Sequence, residues 1–225
     1  MDGPADQARG LLFNRKHTLL DPYAKAVTGQ RNWGEKPEGG KDFVYKARVV
    51  QSDFDWGRYR NLNYKFEDLV IYEMHVRGFT KDASSGVKGG GTFEGLRQKI
   101  PYLKDLGINA VELMPIFEFD EMESARVVDG VQLYNYWGYN TVSFFAPNTS
   151  YAFHQEHNHE GDELKRLIRE LKENGLKSFL MWYSTIRQRE MKTVHVFALR
   201  GLITIFIICL HRMDIITISA AVAMS

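Results

Sequence analysis

The sequence has one cysteine, Cys209, almost no net charge and no long hydrophobic run. A single cysteine excludes an internal disulfide framework and leaves the compartment open. A formal net charge of +1 gives no reason to expect nucleic acid or another polyanion as partner. The apolar stretch from Gly201 to Leu210 is too short to cross about 30 Å of hydrocarbon. Lengthening it takes in Arg200 and His195 on one side and His211, Arg212 and Asp214 on the other. Each central Arg or Asp costs about 2.5–3.5 kcal/mol, so a membrane span is not expected. Met1 to Gly10 is polar and carries Asp2 and Asp6. It has neither the apolar centre of a signal peptide nor the basic, acid-poor character of a transit peptide, and no targeting segment is expected.

What is present suits a globular protein. Forty-four percent of the 225 residues are hydrophobic and 25% charged, enough for a real core in one large or two small domains. Aromatic residues make up 13%, which serves a sugar-binding cleft or an ordinary core equally well. The first 68 residues hold short aromatic and β-branched runs broken by turn residues such as Asp21-Pro22 and Gly39-Gly40. Within them, the run from Phe43 to Val50 reads as a strand.

Residues 69–176 are better organised. Leu69-Val70-Ile71-Tyr72-Glu73-Met74 is nearly continuous in apolar character, as a strand buried on both faces would be. Thr92 can cap a helix whose apolar positions Phe93, Leu96, Ile100, Leu103 and Leu106 follow a 3.6 repeat, with Gly107 placed to end it. Pro101 predicts a bend or break near Lys99, because proline removes a helix hydrogen bond. A second buried strand, Ile108 to Met114, stops at Pro115, and a long polar and aromatic stretch runs from Phe117 to His159. Leu164, Leu167, Ile168 and Leu171 then mark a second amphipathic helix, with acids at its start and Asn174-Gly175 at its end. This βαβ progression requires a third parallel strand after Gly175. Leu176 to Trp182 can begin one, but composition shifts near Lys177, and residues 193–225 are apolar without a helical or strand period.

Several motifs in order carry a resemblance. Val70 to Thr80, reading VIYEMHVRGFT, resembles the first barrel strand of isoamylase-type glycogen and starch debranching enzymes of the α-amylase superfamily, glycoside hydrolase family 13. Gly91-Thr92-Phe93 and Leu103 to Pro115 resemble the following helix and second strand. Asn135-Tyr136-Trp137-Gly138-Tyr139-Asn140 and Phe144 to Pro147 resemble the loop after strand two. Leu19 to Ala26 resembles the end of the β-sandwich glucan-binding module that precedes the barrel in that family. The implied fold class is α/β: the first two βα units of a (β/α)8 TIM barrel, preceded by the end of that sandwich. The expected domains are a sandwich end at 1–50, a linker at 51–68, a barrel start at 69–176 and a non-family hydrophobic tail at 177–225. The tail is read as sequence of the kind left by a retained intron or a shifted frame.

The resemblance implies hydrolysis of α-1,6 branch linkages in starch or glycogen with retention of configuration. Retention uses two carboxyl groups about 5–5.5 Å apart, a nucleophile and an acid/base. In that family the nucleophile, the acid and a third helper carboxylate lie on strands four, five and seven. A (β/α)8 barrel takes about 250 residues. The chain is therefore expected to stop before those strands, to contribute no catalytic residue and to be inactive alone. At the place of the family's Asp-Val-Val-Phe-Asn-His type third strand it has Ser178-Phe179-Leu180-Met181-Trp182-Tyr183. The alternative is a non-catalytic glucan-binding or regulatory fragment. The expected partner is a branched α-glucan, with other debranching subunits as oligomeric partners, no cofactor and no metal; resemblance to plant starch enzymes suggests the plastid.

Tyr139 matches the family tyrosine that stacks on the sugar beside the scissile bond, and Trp137 and Asn140 are expected to shape the same cleft. His75 and Arg77 are expected to brace the barrel rim as a hydrogen-bonding pair. Glu112, Glu118, Asp120, Glu121 and Glu123 are read as acids of a solvated loop rather than a catalytic pair. His154, His157 and His159 lack a zinc framework and are read as loop histidines.

Overall fold

The computed structural model describes residues 20–35, 44–51, 53–57, 62–154, 156 and 159–181, with the strand backbone at 5–6, 11–12, 182–184, 202–210 and 215–223. Strands β1 (Ala5–Asp6) and β2 (Leu11–Leu12) form a small antiparallel pair. The main elements then follow in chain order. Strand β3 (Ile71–Met74) leads into a short helix α1 (Val76–Thr80), and helices α2 (Phe93–Arg97) and α3 (Ile100–Asp105) precede strand β4 (Ala110–Leu113). A hairpin of β5 (Arg126–Val128) and β6 (Val131–Leu133) interrupts the following loop. Helix α4 (His159–Glu173) leads to β7 (Lys177–Ser184), and β8 (Leu202–Leu210) and β9 (Ile215–Ala223) complete the sheet. Its order is β3-β4-β7-β8-β9.

Local chemistry explains the helix ends. The Thr92 hydroxyl accepts the Gly95 N–H and caps α2. Gly107, at φ +84°, terminates α3 in the left-handed region. The helical stretch breaks between Arg97 and Ile100, where Pro101 takes a first-turn position and no longer needs a hydrogen-bond partner.

Ile71, Ala110 and Lys177 lie in parallel register, as do Met74, Leu113 and Leu180. Residues in register share a face of the sheet. Met74, Leu113 and Leu180 join Phe93, Leu96, Ile100 and Leu103 from α2 and α3 and Leu164, Leu167, Ile168 and Leu171 from α4 in one core. Burying each such leucine contributes about 1.5–3 kcal/mol. Leu106 departs from the expected stripe and lies exposed.

Three expectations need correction. Strand β3 is not buried on both faces: Val70 and Ile71 are exposed because β3 pairs with β4 alone among the described residues. The expected strand at Phe43 to Val50 is, over its described residues, one antiparallel bridge between Val27 and Ala47. Val44 and Val49 find no cover there and remain exposed. The third parallel strand expected after Gly175 is present as β7, paired in parallel with β4. Residues 202–210 and 215–223, which lack an alternating period, form two paired strands rich in Ile. Strands β8 and β9 run antiparallel, unlike the strands of a (β/α)8 barrel. Among the described residues, no helix is long and apolar enough to cross a membrane.

Candidate functional site: an aromatic cleft after strand β4

The chain leaving β4 folds back on itself through bridges between Phe117 and Pro147 and between Phe119 and Thr141. Gly138 sits between them at φ +77°, where a Cβ would come within 2.7 Å of the Phe119 ring. Only glycine lets the backbone lie flat on that ring, and this contact seats the turn carrying Trp137 and Tyr139. Trp137, Tyr139 and Asn140 border one cleft of about 760 Å³. Tyr134, Asn135 and Tyr136 continue its wall, and Glu123, Arg126, Gln132 and Leu133 border it as well. All three residues expected at the site are therefore brought together. Trp137 is 54% exposed, leaving its ring available to a ligand. The Tyr139 hydroxyl donates to the Met181 sulfur at 3.2 Å, tying the cleft to β7.

His75, at the end of β3, holds the loop from beneath. Its Nδ1 accepts the Gly78 N–H at 3.1 Å, and its Nε2 lies 2.7 Å from the Tyr136 carbonyl oxygen. Since Nδ1 accepts, the proton sits on Nε2 and is donated to Tyr136. The Tyr136 ring stacks on the imidazole with centroids 4.1 Å apart and planes within 12°. Burial pushes the His75 pKa down and Arg77 adds to this, while the Tyr136 carbonyl opposes them. The expected His75–Arg77 hydrogen-bonding pair is not found. Arg77 instead lies over the Trp33 ring, 4.5 Å from its centroid, a cation–π contact that ties residue 33 to the strand end.

The acids after β4 also differ from expectation. Glu118 and Glu121 are each 1% exposed, not solvated. Glu118 accepts the Thr149 N–H at 2.7 Å, and Glu121 accepts the Gly34 N–H at 2.8 Å and the Ser150 hydroxyl. Together they join three separate stretches of chain. Burial raises Glu118 to about 8 and Glu121 to about 7 against these donors, which favour the charged forms. Asp120 accepts from the Gln30 amide. Glu112 stands opposite Glu73 in the parallel register, and burial followed by the Glu73 charge raises its pKa. None of these acids except Glu123 borders the cleft.

His154 contacts Glu163 at 2.8 Å and His159 contacts Glu156 at 3.2 Å. His157 lies outside the described residues. Among the described residues no group of three or more His, Cys, Asp or Glu could hold a metal ion. The hairpin bordering the cleft was absent from the sequence reading, although Asp129-Gly130 between Val128 and Val131 is a hairpin signal.

The α-amylase catalytic domain family ("Alpha amylase, catalytic domain") matches residues 44–182. The chain belongs to that family. Isoamylase 3, chloroplastic, from Oryza sativa subsp. japonica is 42% identical over 183 residues, covering 79% of this chain and 23% of the relative. The glycogen operon protein GlgX homolog of Mycobacterium tuberculosis H37Rv is 34% identical over 197 residues, covering 79% and 27%. Among solved structures, pullulanase type I from Bacillus subtilis complexed with maltose aligns with a TM-score of 0.57 at 25% identity, covering 78% of this chain and 25% of that one. This α-amylase family chain is thus similar to isoamylase-type debranching enzymes, and it spans about a quarter of the length of the relatives it matches.

Proposed function

We propose that this chain supplies one wall of the glucan cleft of a debranching glycosidase acting on α-1,6 branch points in starch or glycogen. The observation that carries this reading is the single cleft shared by Trp137, Tyr139 and Asn140 in a chain of this family. Aromatic rings offer flat apolar faces to the C–H face of a sugar, while Asn140 offers an amide to its hydroxyls. Tyr139 is the stacking residue of this reading. The plastid is the compartment, by likeness to the chloroplastic isoamylase. Residues 1–50 are the end of a sandwich module, 51–68 a linker, 69–176 the opening of the barrel and 177–225 a tail outside the family fold.

We further propose that a polypeptide of these 225 residues binds glucan without cutting it. Retaining hydrolysis needs two carboxyl groups about 5–5.5 Å apart. Among the described residues, Glu123 is the one carboxylate bordering the cleft. Co-sedimentation with glycogen and an assay for released linear chains test both statements. The expected result is sedimentation of the chain, weakened in Tyr139→Ala, with no chains released. A correctly folded chain that stays in solution contradicts the first statement, and release of linear chains contradicts the second.

A further inference from the structure

Trp33 reaches the wall of the aromatic cleft from behind and does not border the cleft itself. Its indole meets the Tyr136 ring edge to face, with centroids 5.9 Å apart and planes at 75°. It meets Phe119 in the same way at 5.9 Å and lies parallel to Tyr151 at 6.2 Å. Phe119 and Tyr151 are fully buried, whereas Trp33 and Tyr136 are half-buried. The indole therefore stands between the packed core and the cleft wall. The Arg77 guanidinium, 4.5 Å from its centroid, holds it there.

Residues 134–136 belong to no helix or strand, so their course depends on contacts with other stretches of chain. Several of those contacts lead back to Trp33 and Gly34. The Asn135 N–H donates to the Glu121 carbonyl at 2.9 Å, and the Glu121 carboxylate accepts the Gly34 N–H at 2.8 Å. Gly34, at φ +76°, lies so close to Tyr134 that a Cβ would fall 2.8 Å from its ring. Trp33 and Gly34 thus meet Tyr134 and Tyr136 directly and Asn135 through Glu121, three consecutive residues of the wall. An edge-to-face aromatic contact favours one mutual orientation, so moving the indole tilts the Tyr136 ring. A binding wall works only when it is held within about 0.5 Å of its productive place.

We infer that Trp33 is a positioning residue for the cleft: it passes the fixed place of the core to Tyr136 and so sets the affinity for α-glucan without touching the sugar. This rests on the reading of the cleft as a glucan site. The stretch proposed as the end of the sandwich module thereby acts on a cleft built from barrel loops. Coupling of this kind runs both ways: sugar in the cleft holds Trp33 down by the same factor by which loss of Trp33 weakens the sugar.

Calorimetric titration of the full chain, Trp33→Leu and Trp33→Phe with maltoheptaose tests it, together with hydrogen exchange at the Gly34 amide with and without the sugar. Trp33→Leu, which keeps apolar bulk but no ring, is expected to bind about fivefold more weakly. Trp33→Phe, which restores an edge-to-face ring, should come within about twofold of the wild type. In the wild type, saturating maltoheptaose should slow exchange at Gly34 about fivefold, which a merely structural tryptophan would not produce. Equal affinity in a folded Trp33→Leu, or exchange at Gly34 unmoved by bound sugar, overturns the inference and leaves the cleft reading intact. A wild type that binds no maltoheptaose overturns the cleft reading, and the inference with it. Should Trp33→Leu not fold, the exchange measurement on the wild type decides.

Discussion

The imidazole of His75 donates from Nε2 to the carbonyl oxygen of Tyr136 at 2.7 Å while its Nδ1 accepts the Gly78 N–H. One side chain thus caps α1 and fixes the backbone immediately before Trp137. Only the neutral imidazole can do both, because a second ring proton would face the Gly78 N–H head on.

This relationship sets an acid limit on stability. The folded-state pKa of His75 lies below the ordinary value near 6.5, because of burial and, next, the Arg77 charge. The charged and titratable groups around it are Arg77, Tyr136 and Tyr151, with Glu121 facing Arg77. Between the two pKa values the unfolded chain binds more protons, so stability rises with pH there. The contribution is complete above about pH 6.5 and is lost as pH falls below it. Because Glu118 and Glu121 slope the opposite way in the same window, thermal melts across pH 5–7 should show stability falling more steeply with pH in His75→Phe than in the wild type; equal slopes would argue against the assignment.

Glu118 and Glu121 act in the opposite direction. Their folded pKa values, about 8 and about 7, lie above the 4.5 of a free glutamate, so the native state holds more protons between those limits. Stability should fall as pH rises from 5 to 8, by at most ~1.4 kcal/mol per pH unit for each group. Glu118→Gln, which has the shape of the protonated acid, should lower that alkaline slope. A slope identical to wild type would show that Glu118 is ionised in the folded chain.

Gly138→Ala places a Cβ against the Phe119 ring in a left-handed conformation. The conformation alone costs about 1–2 kcal/mol. The turn carrying Trp137 and Tyr139 must shift, so maltoheptaose affinity should fall about tenfold while far-UV circular dichroism is retained. Wild-type affinity in this variant would mean that the Phe119 contact does not position the turn.

Leu167, fully buried in α4 between the sheet and α2, tests the core. Leu167→Ala should destabilise the chain by about 2–5 kcal/mol in urea unfolding. A loss well under 1 kcal/mol would contradict the packing of α4 on this sheet.

Much of this architecture was legible because it depends on short-range pattern. The 3.6 repeat of Leu164, Leu167, Ile168 and Leu171 gives α4, and Pro101 gives the break before α3. The burial of Glu118 and Glu121 was not legible, since it depends on Thr149, Ser150 and Gly34, some 30 to 90 positions away. Strand β3 has the composition of a fully buried strand, yet exposure depends on how many neighbours a strand has. Trp137, Tyr139 and Asn140 border the cleft as near neighbours in one motif, whereas Arg126 and Leu133 reach it through a hairpin whose signal, Asp129-Gly130, is local.

The central claim is that the turn at Trp137–Asn140 binds α-glucan. Calorimetric titration of the full chain and of Tyr139→Ala with maltoheptaose tests it most directly. Saturable binding in the wild type, weakened about tenfold or more in a folded Tyr139→Ala, is the predicted result. Absence of binding by the folded wild type, or equal affinity in the two proteins, would contradict it.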